Sequence, residues 1–480
     1  MRKLLISAAT LLGVMGVGLV AGPAAMAGAS GSGGTLYVNA SSGANTTTCR
    51  LSQHPCLTIS YAVSQAAVGS VIKVAAGTYH EQVAVNGAGL NNLTIKGAGA
   101  GTTIVEPNTV SQNDTDSDSS AAQDAIVDVN GATGVTIKGL TVNGGSAQSS
   151  FTDCSVGYDG VYFHNASGTL SKVDVTGVDL PGGLFECQQG QGVYVTSDAG
   201  KTSDVTMTKV AVTNFDKNAI TCDDPGTTCL ISGSTTTGDG PITTIAQNGI
   251  QVYGSSATLT KDTVSSISYT GGTYDATGIL VINAGSFSLT NSTMSADDVG
   301  AYLLEDTGPG WVLQSGTTEG TWTATGNTAD LSPSNPGGGP GEGFGDGIDV
   351  DSTTAPVTIS NNKVEHDDGF GIGIYGATGA TVTGNTAEND VNGIYLGAGS
   401  QTATASHNDV SNNTADTNSN DGILADVPTL SNTFSSNVLK HDVLWGAQDN
   451  STGSGTAGTA NTWTSNVCAP VHDGTPLGVC

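Results

Sequence analysis

Basic residues are scarce in this chain. Arg2 and Arg50 are its only arginines, and lysine brings the basic total to 13 in 480 residues, against 42 acidic ones. Discounting Arg2 and Lys3 of the leader, 11 basic residues remain and the net charge falls near −31. A surface so negative is a poor partner for nucleic acid or an anionic membrane, and neither is expected as a partner. Chemistry that needs an arginine base is close to excluded. Glutamate is scarce too, at 8 of the 42 acids, with little leucine or lysine, so the chain lacks the residues that favour helices. No CxxC or CxxH spacing points to a structural zinc site. No GxSxG element announces a nucleophile elbow.

What is abundant is Asp, Asn, Thr, Val and 69 glycines, the composition of short strands joined by tight turns. These residues repeat one phrase: polar, Gly, apolar, any, apolar. It reads Asp159-Gly-Val-Tyr-Phe163, Gln191-Gly-Val-Tyr-Val195, Asn248-Gly-Ile-Gln-Val252, Thr277-Gly-Ile-Leu-Val281, Asp346-Gly-Ile-Asp-Val350, Asn392-Gly-Ile-Tyr-Leu396 and Asp421-Gly-Ile-Leu-Ala425. Looser copies stand at Val299-Gly300 and Phe370-Gly371, and close copies lie 22 to 24 residues apart. A period in the twenties marks a solenoid, whose units bury their apolar faces only by stacking.

Arg2-Lys3, a long apolar run and Ala25-Met26-Ala27 together read as a secretory signal over residues 1–27. Residues 28–56 are a leader with a first short strand at Leu36-Tyr37-Val38. Residues 57–445 hold an amphipathic helix at 57–68 and the repeats, and 446–480 a C-terminal cap. The helix would plug one end of the solenoid. Eight cysteines fit an oxidising compartment. Nearest-neighbour pairing is the natural choice (Cys49 with Cys56, Cys154 with Cys187, Cys222 with Cys229, Cys468 with Cys480), one of many arrangements that eight cysteines allow. A monomer is expected.

The residues of GSVIKVAAGTYHEQVAV at 69–85 and LTIKGAGAGTTIV at 93–105 resemble the opening rungs of pectin methylesterases, and the whole repeat resembles the right-handed parallel β-helix proteins found among pectinases. The expected fold is therefore all-β, one right-handed parallel β-helix of roughly a dozen rungs with an N-terminal capping helix. The resemblance implies polysaccharide as substrate or ligand.

In such a solenoid, equivalent residues stack about 4.8 Å apart and alternate residues face outward. The free position of the phrase then forms an outward column of Tyr162, Tyr194, Gln251, Leu280, Tyr302, Asp349, Gly373, Tyr395 and Leu424. Aromatic rings and an acid in one column suit sugars, and a ladder packed under loops is the other reading. Asp346, Asp349 and Asp351 share one rung, and His366-Asp367-Asp368 enter the next. Carboxylates one rung apart can divide into an acid and a base, as glycoside cleavage requires.

GDGIDVDSTTAPVTISNNKVEHDDG resembles part of the polygalacturonase pattern, with Asp346 on the first Asp, and Asp367 and Asp368 on the pair. It departs from that family where Asn392-Gly393 replaces His-Gly and no Arg-x-Lys follows. The catalytic candidates are Asp346, Asp367 and Asp368, with Asp349, Tyr302, Tyr395 and His366 lining the groove. The competing reading makes Asp159, Asp346 and Asp421 turn residues before each strand, on a non-catalytic surface solenoid. A calcium-dependent lyase using Lys363 is a further alternative. No cofactor is required. Calcium is a candidate at Asp114, Asp116 and Asp118, whose alternation is like the start of a calcium loop but lacks its Gly and Glu. The insertions at 111–123 and 311–345 are expected to flank the binding face.

Overall fold

A computed structural model describes residues 33–46, 48–116, 121–271, 275–304, 311–314, 317–319, 345–354, 356–399, 403–469 and 474–480. The expected signal at 1–27, Asp118 and most of the 311–345 insertion lie outside them. No helix among the described residues is long and apolar enough to cross a membrane.

The phrase strands stack into one sheet in chain order, each parallel to the last, through thirteen coils from Val83–Asn86 to Trp445–Asp449. Each coil adds strands on two further faces. After Phe370–Tyr375 come Thr381–Thr383 and Thr386–Glu388, and after Asp346–Asp351 come Val357–Ser360 and Lys363–Glu365. All these faces pair in parallel register, as Thr358↔Thr381 and Lys363↔Thr386 illustrate. Apolar positions three and five of the phrase point inward, so Val161, Val195, Ile250, Val281, Leu303, Ile348, Ile374 and Leu396 join one continuous core.

The corners explain the wealth of Asn and Asp. Where the chain turns from the second face to the third, a residue with positive φ is followed by an asparagine: Asn361 before Asn362, Gly384 before Asn385, Asn412 before Asn413, Ser436 before Asn437. Each buried asparagine locks its coil to the next. Asn385 N–H and Nδ2 donate to Asn413 Oδ1 at 2.9 and 3.0 Å, and Asn413 N–H and Nδ2 donate to Asn437 Oδ1 at 2.9 and 3.1 Å. Nδ2 also donates to a backbone carbonyl, Ile359 O for Asn385 and Val382 O for Asn413. Asn408, Asn432 and Asn461 form a like ladder at the first corner. Such ladders pair the corner N–H groups, which the strands cannot reach.

The N-terminal helix is shorter than its sequence pattern. It spans Ile59–Ser64, not 57–68. Thr58 caps it by accepting from Tyr61 N–H, and the Glu81 carboxylate takes the N–H groups of Ile59 and Ser60. Gln65 and Ala66 already bond three residues back, which tightens and ends the helix. It packs against Thr35–Val38, Val71–Val74 and Val83–Asn86. At the far end Thr462–Thr464 and Val467–Ala469 add a partial coil, with Trp463 stacked on Phe434 at 3.9 Å. The four disulfides join nearest neighbours in sequence.

Candidate functional site

In the phrase strands positions one, four and six face outward while three and five face the core, and position two is glycine in most copies, with Ile126 and Ala219 in two. The reason for glycine lies at the third corner, between the third face and the phrase strand. A Cβ on Gly371 would stand 2.4 Å from Asp390 Oδ2, and one on Gly422 2.5 Å from Asp442 Oδ2. No side chain fits there. The register runs Asp128, Tyr162, Tyr194, Thr221, Gln251, Leu280, Tyr302, Asp349, Gly373, Tyr395 and Leu424 down the fourth position. The column read from sequence is correct in register, with two rungs added, at Asp128 and Thr221. Much of it is covered, since Tyr162, Tyr302 and Asp349 are all 1% exposed or less.

Asp346, Asp349 and Asp351 lie together on this face, all buried. Phe370 N–H donates to Asp346 Oδ1 at 2.7 Å, and Tyr375 OH to Oδ2 at 3.4 Å. Tyr302 OH donates to Asp351 Oδ2 at 3.0 Å, and Ser352 Oγ to Oδ1 at 2.7 Å. Beside them Phe370 stacks on Tyr395 at 4.4 Å and Tyr375 lies 5.3 Å from Tyr395. Gly373 makes the room, because a Cβ there would meet Asp349 Oδ1 and the Tyr375 ring at 2.4 Å. The N–H bond to Asp346 is also a structural one. Asn392 accepts in the same way from Asp421 N–H, and Asp421 from Trp445 N–H.

The remaining predicted residues stand elsewhere. His366 is the exposed, positive-φ residue of the third corner, and Asp367 is buried inside that corner, its N–H donating to Asp390 Oδ1 at 3.0 Å. Asp368 is half-buried beside Gly345 at the mouth of the strand. Of the three candidate catalytic acids, only Asp346 is on the outer face with Asp349, Tyr302 and Tyr395.

A second cluster on the same face escaped the sequence reading. The short strand Asp114–Thr115 pairs antiparallel with the start of Ala122–Asn130. It carries Asp114 over the third coil, where His164 Nδ1 lies 3.1 Å from Asp114 Oδ2 and Nε2 2.8 Å from Asp198 Oδ1. Asn130 Nδ2 adds two bonds to Asp114, and Asn165 Nδ2 binds Asp198 at 2.7 Å. Burial would lower the His164 pKa, but hydrogen bonds to the two aspartates and their charges outweigh it and raise it to about 9.

Around it, burial and then the Asp114 charge push Asp128 up to about 8, and burial with the charges of Asp124, Asp116 and Asp128 holds Asp159 well above the carboxylate range. Tyr162 and Tyr194, 5.2 Å apart, are likewise raised by burial. Gathered on one face, these perturbed groups make a second candidate site. The signal in sequence was the sixth position, His164, Thr196 and Asp223. Asp128 was hidden because its strand has Ile126 where the phrase has Gly.

Among the described residues no three His, Cys, Asp or Glu are grouped to hold a metal ion. Asp114 is engaged by His164 and Asn130, Asp116 lies close enough to Asp159 and Tyr162 to act on their titration, and Asp118 is outside the described residues.

Coils of parallel strands around one core, locked by corner asparagines, define a right-handed parallel β-helix protein. The family described as "Right handed beta helix region" matches residues 191–472, and the chain belongs to it. No curated protein matches. Similar solved structures include the GH136 lacto-N-biosidase from Eubacterium ramulus, 11% identical over 91% of this chain and 68% of that one, with a TM-score of 0.44. The Azotobacter vinelandii mannuronan C-5 epimerase AlgE4 A-module is 13% identical over 86% and 92%, with a TM-score of 0.41. The Dettilon tailspike protein is 13% identical over 86% and 64%, with a TM-score of 0.45. At these identities and scores none of them informs the site.

Proposed function

We propose that the protein is secreted and binds extracellular polysaccharide along the outer face of the phrase sheet, where it hydrolyses glycosidic bonds. The observation that carries this reading is the gathering of Asp346, Asp349 and Asp351 among Tyr302, Phe370, Tyr375 and Tyr395. Rings present flat apolar faces to a sugar, and carboxylates bond its hydroxyls. In the proposed cleavage Asp349, buried in the free protein, gives a proton to the leaving oxygen once the side chains over it move aside. Asp346 draws one from the attacking water, and Asp368 assists at the mouth of the strand. Asp367 supports the strand from its corner. Four disulfides and the acidic surface support an extracellular setting.

The His164 cluster favours a second reading, in which acid–base work is done there and the aspartate patch only binds. A panel of neutral and acidic polysaccharides, with and without calcium, separates the two by reducing-end release. Loss in Asp349→Asn with retention in His164→Gln supports the first reading, and the reverse result the second. No release by folded wild type from any substrate would overturn both and leave a binding or structural solenoid.

A further inference from the structure

The third corner repeats the asparagine ladders with a different chemistry. Its stacked residues are Asp367, Asp390, Asn418 and Asp442, each preceded by a positive-φ residue, His366, Asn389, Thr417 and His441. Oδ1 does here what it does in asparagine. Asp390 Oδ1 accepts from Asp367 N–H at 3.0 Å, Asn418 Oδ1 from Asp390 N–H at 3.0 Å and Asp442 Oδ1 from Asn418 N–H at 3.1 Å. The other oxygen takes the place of an amide nitrogen. Asn418 Nδ2 lies 2.9 Å from the Cβ site of Gly393, and Asp390 Oδ2 and Asp442 Oδ2 lie against Gly371 and Gly422 in the same way. Asn418 Nδ2 donates from that place to Asp442 Oδ1 at 2.9 Å. Oδ2 of Asp390 and of Asp442 is buried there with no partner. An ionised carboxylate has nothing to donate, whereas a carboxylic acid carries one O–H and can do what the amide does.

We propose that this corner is a proton-operated clasp. With Asp390 and Asp442 as neutral acids it holds the coils together, and with them ionised it loosens the strand Phe370–Tyr375 and so the Asp346 patch. This extends the proposed function by supplying regulation of its site. The charged groups facing the clasp favour the neutral acid. Glu365, Glu388 and Asp346 act on Asp390, and Asp416 and Asp421 on Asp442. Lys363 is shared by Glu365 and Glu388, and His441 is engaged by Asp416. Burial first, and these charges in addition, raise Asp390 well above the usual carboxylate range and Asp442 to about 7, against the hydrogen bonds from Asp367 and Asn418, which pull the other way. A folded value raised above the unfolded one near 3.9 means stability present at low pH and lost as pH rises through the folded value.

The test is thermal melting at pH 5 and pH 8 of wild type and of Asp390→Asn/Asp442→Asn, with hydrogen exchange at Phe370 N–H. Wild type should melt several degrees lower at pH 8. The variant should lose much of that fall, melt above wild type at pH 8 and protect Phe370 N–H better there. Parallel falls in the two proteins, or a variant less stable at pH 8, overturn the proposal. Should the double variant not fold, Asn413→Asp places the same acid in the asparagine ladder. With one O–H in place of two amide N–H bonds it should melt a little below wild type at pH 4.5 and clearly lower at pH 8, and an equal deficit at both pH values overturns the argument. None of these measurements uses substrate, so they stand or fall apart from the hydrolysis assay.

Discussion

Asn413→Ala tests the ladders most directly. Asn413 is fully buried, and its side chain makes four hydrogen bonds: it accepts from Asn385 N–H and Nδ2 at 2.9 and 3.0 Å and donates to Val382 O and Asn437 Oδ1 at 2.8 and 3.1 Å. Three of these leave partners with another bond, and each costs about 1 kcal/mol. The fourth strands the backbone N–H of Asn385 in a buried corner, at about 1–3 kcal/mol. The expected loss is about 4–6 kcal/mol by guanidinium denaturation. Thr414→Ala, one residue on and half-buried, should cost less than ~1 kcal/mol. An Asn413→Ala loss within ~1 kcal/mol of that control would refute the claim that corner amides hold the coils together.

Three further outcomes follow from the geometry. Gly371→Ala should destabilise by about 1–3 kcal/mol, because its Cβ would meet Asp390 Oδ2 at 2.4 Å, whereas Gly89→Ala, with nothing within 4 Å, should be neutral in the same melt. Replacing Cys154 and Cys187 by serine opens a link spanning 33 residues and should cost about 3–4 kcal/mol of unfolding free energy on loop entropy. His164 titrates near 9 in the fold against about 6.5 unfolded, so its contribution is complete below 6.5 and lost as pH rises through 9. His164→Gln should flatten the stability profile across that window, and an unchanged profile would show that the aspartate contacts do not hold its proton.

The coil was legible because the phrase repeats one physical need, an inward pair of apolar residues after a position that is glycine in most copies. Register down the outer face followed directly, and with it Asp346, Asp349, Tyr302 and Tyr395 as neighbours. Asp367 and His366 were harder to place. A corner aspartate and a face aspartate look alike in sequence, and only the positive φ of His366 assigns them to a turn. The His164 cluster was illegible for another reason. It joins Asp114, His164 and Asp198 across three separate stretches, and its second coil breaks the phrase at Ala125–Val129.

The constant register also makes the outer face a measuring rod. His164 stands on the third phrase strand and Asp349 on the ninth, six steps apart. At about 4.8 Å a step the two patches lie roughly 29 Å from one another along the axis. On the proposed reading, a long polysaccharide lying lengthwise on the solenoid would touch both at once, and a disaccharide would touch only one. Affinity should therefore climb steeply at the chain length that first bridges the gap, since the second contact then becomes intramolecular. The number of coils between the patches, more than the chemistry of either, would set the shortest polymer held tightly.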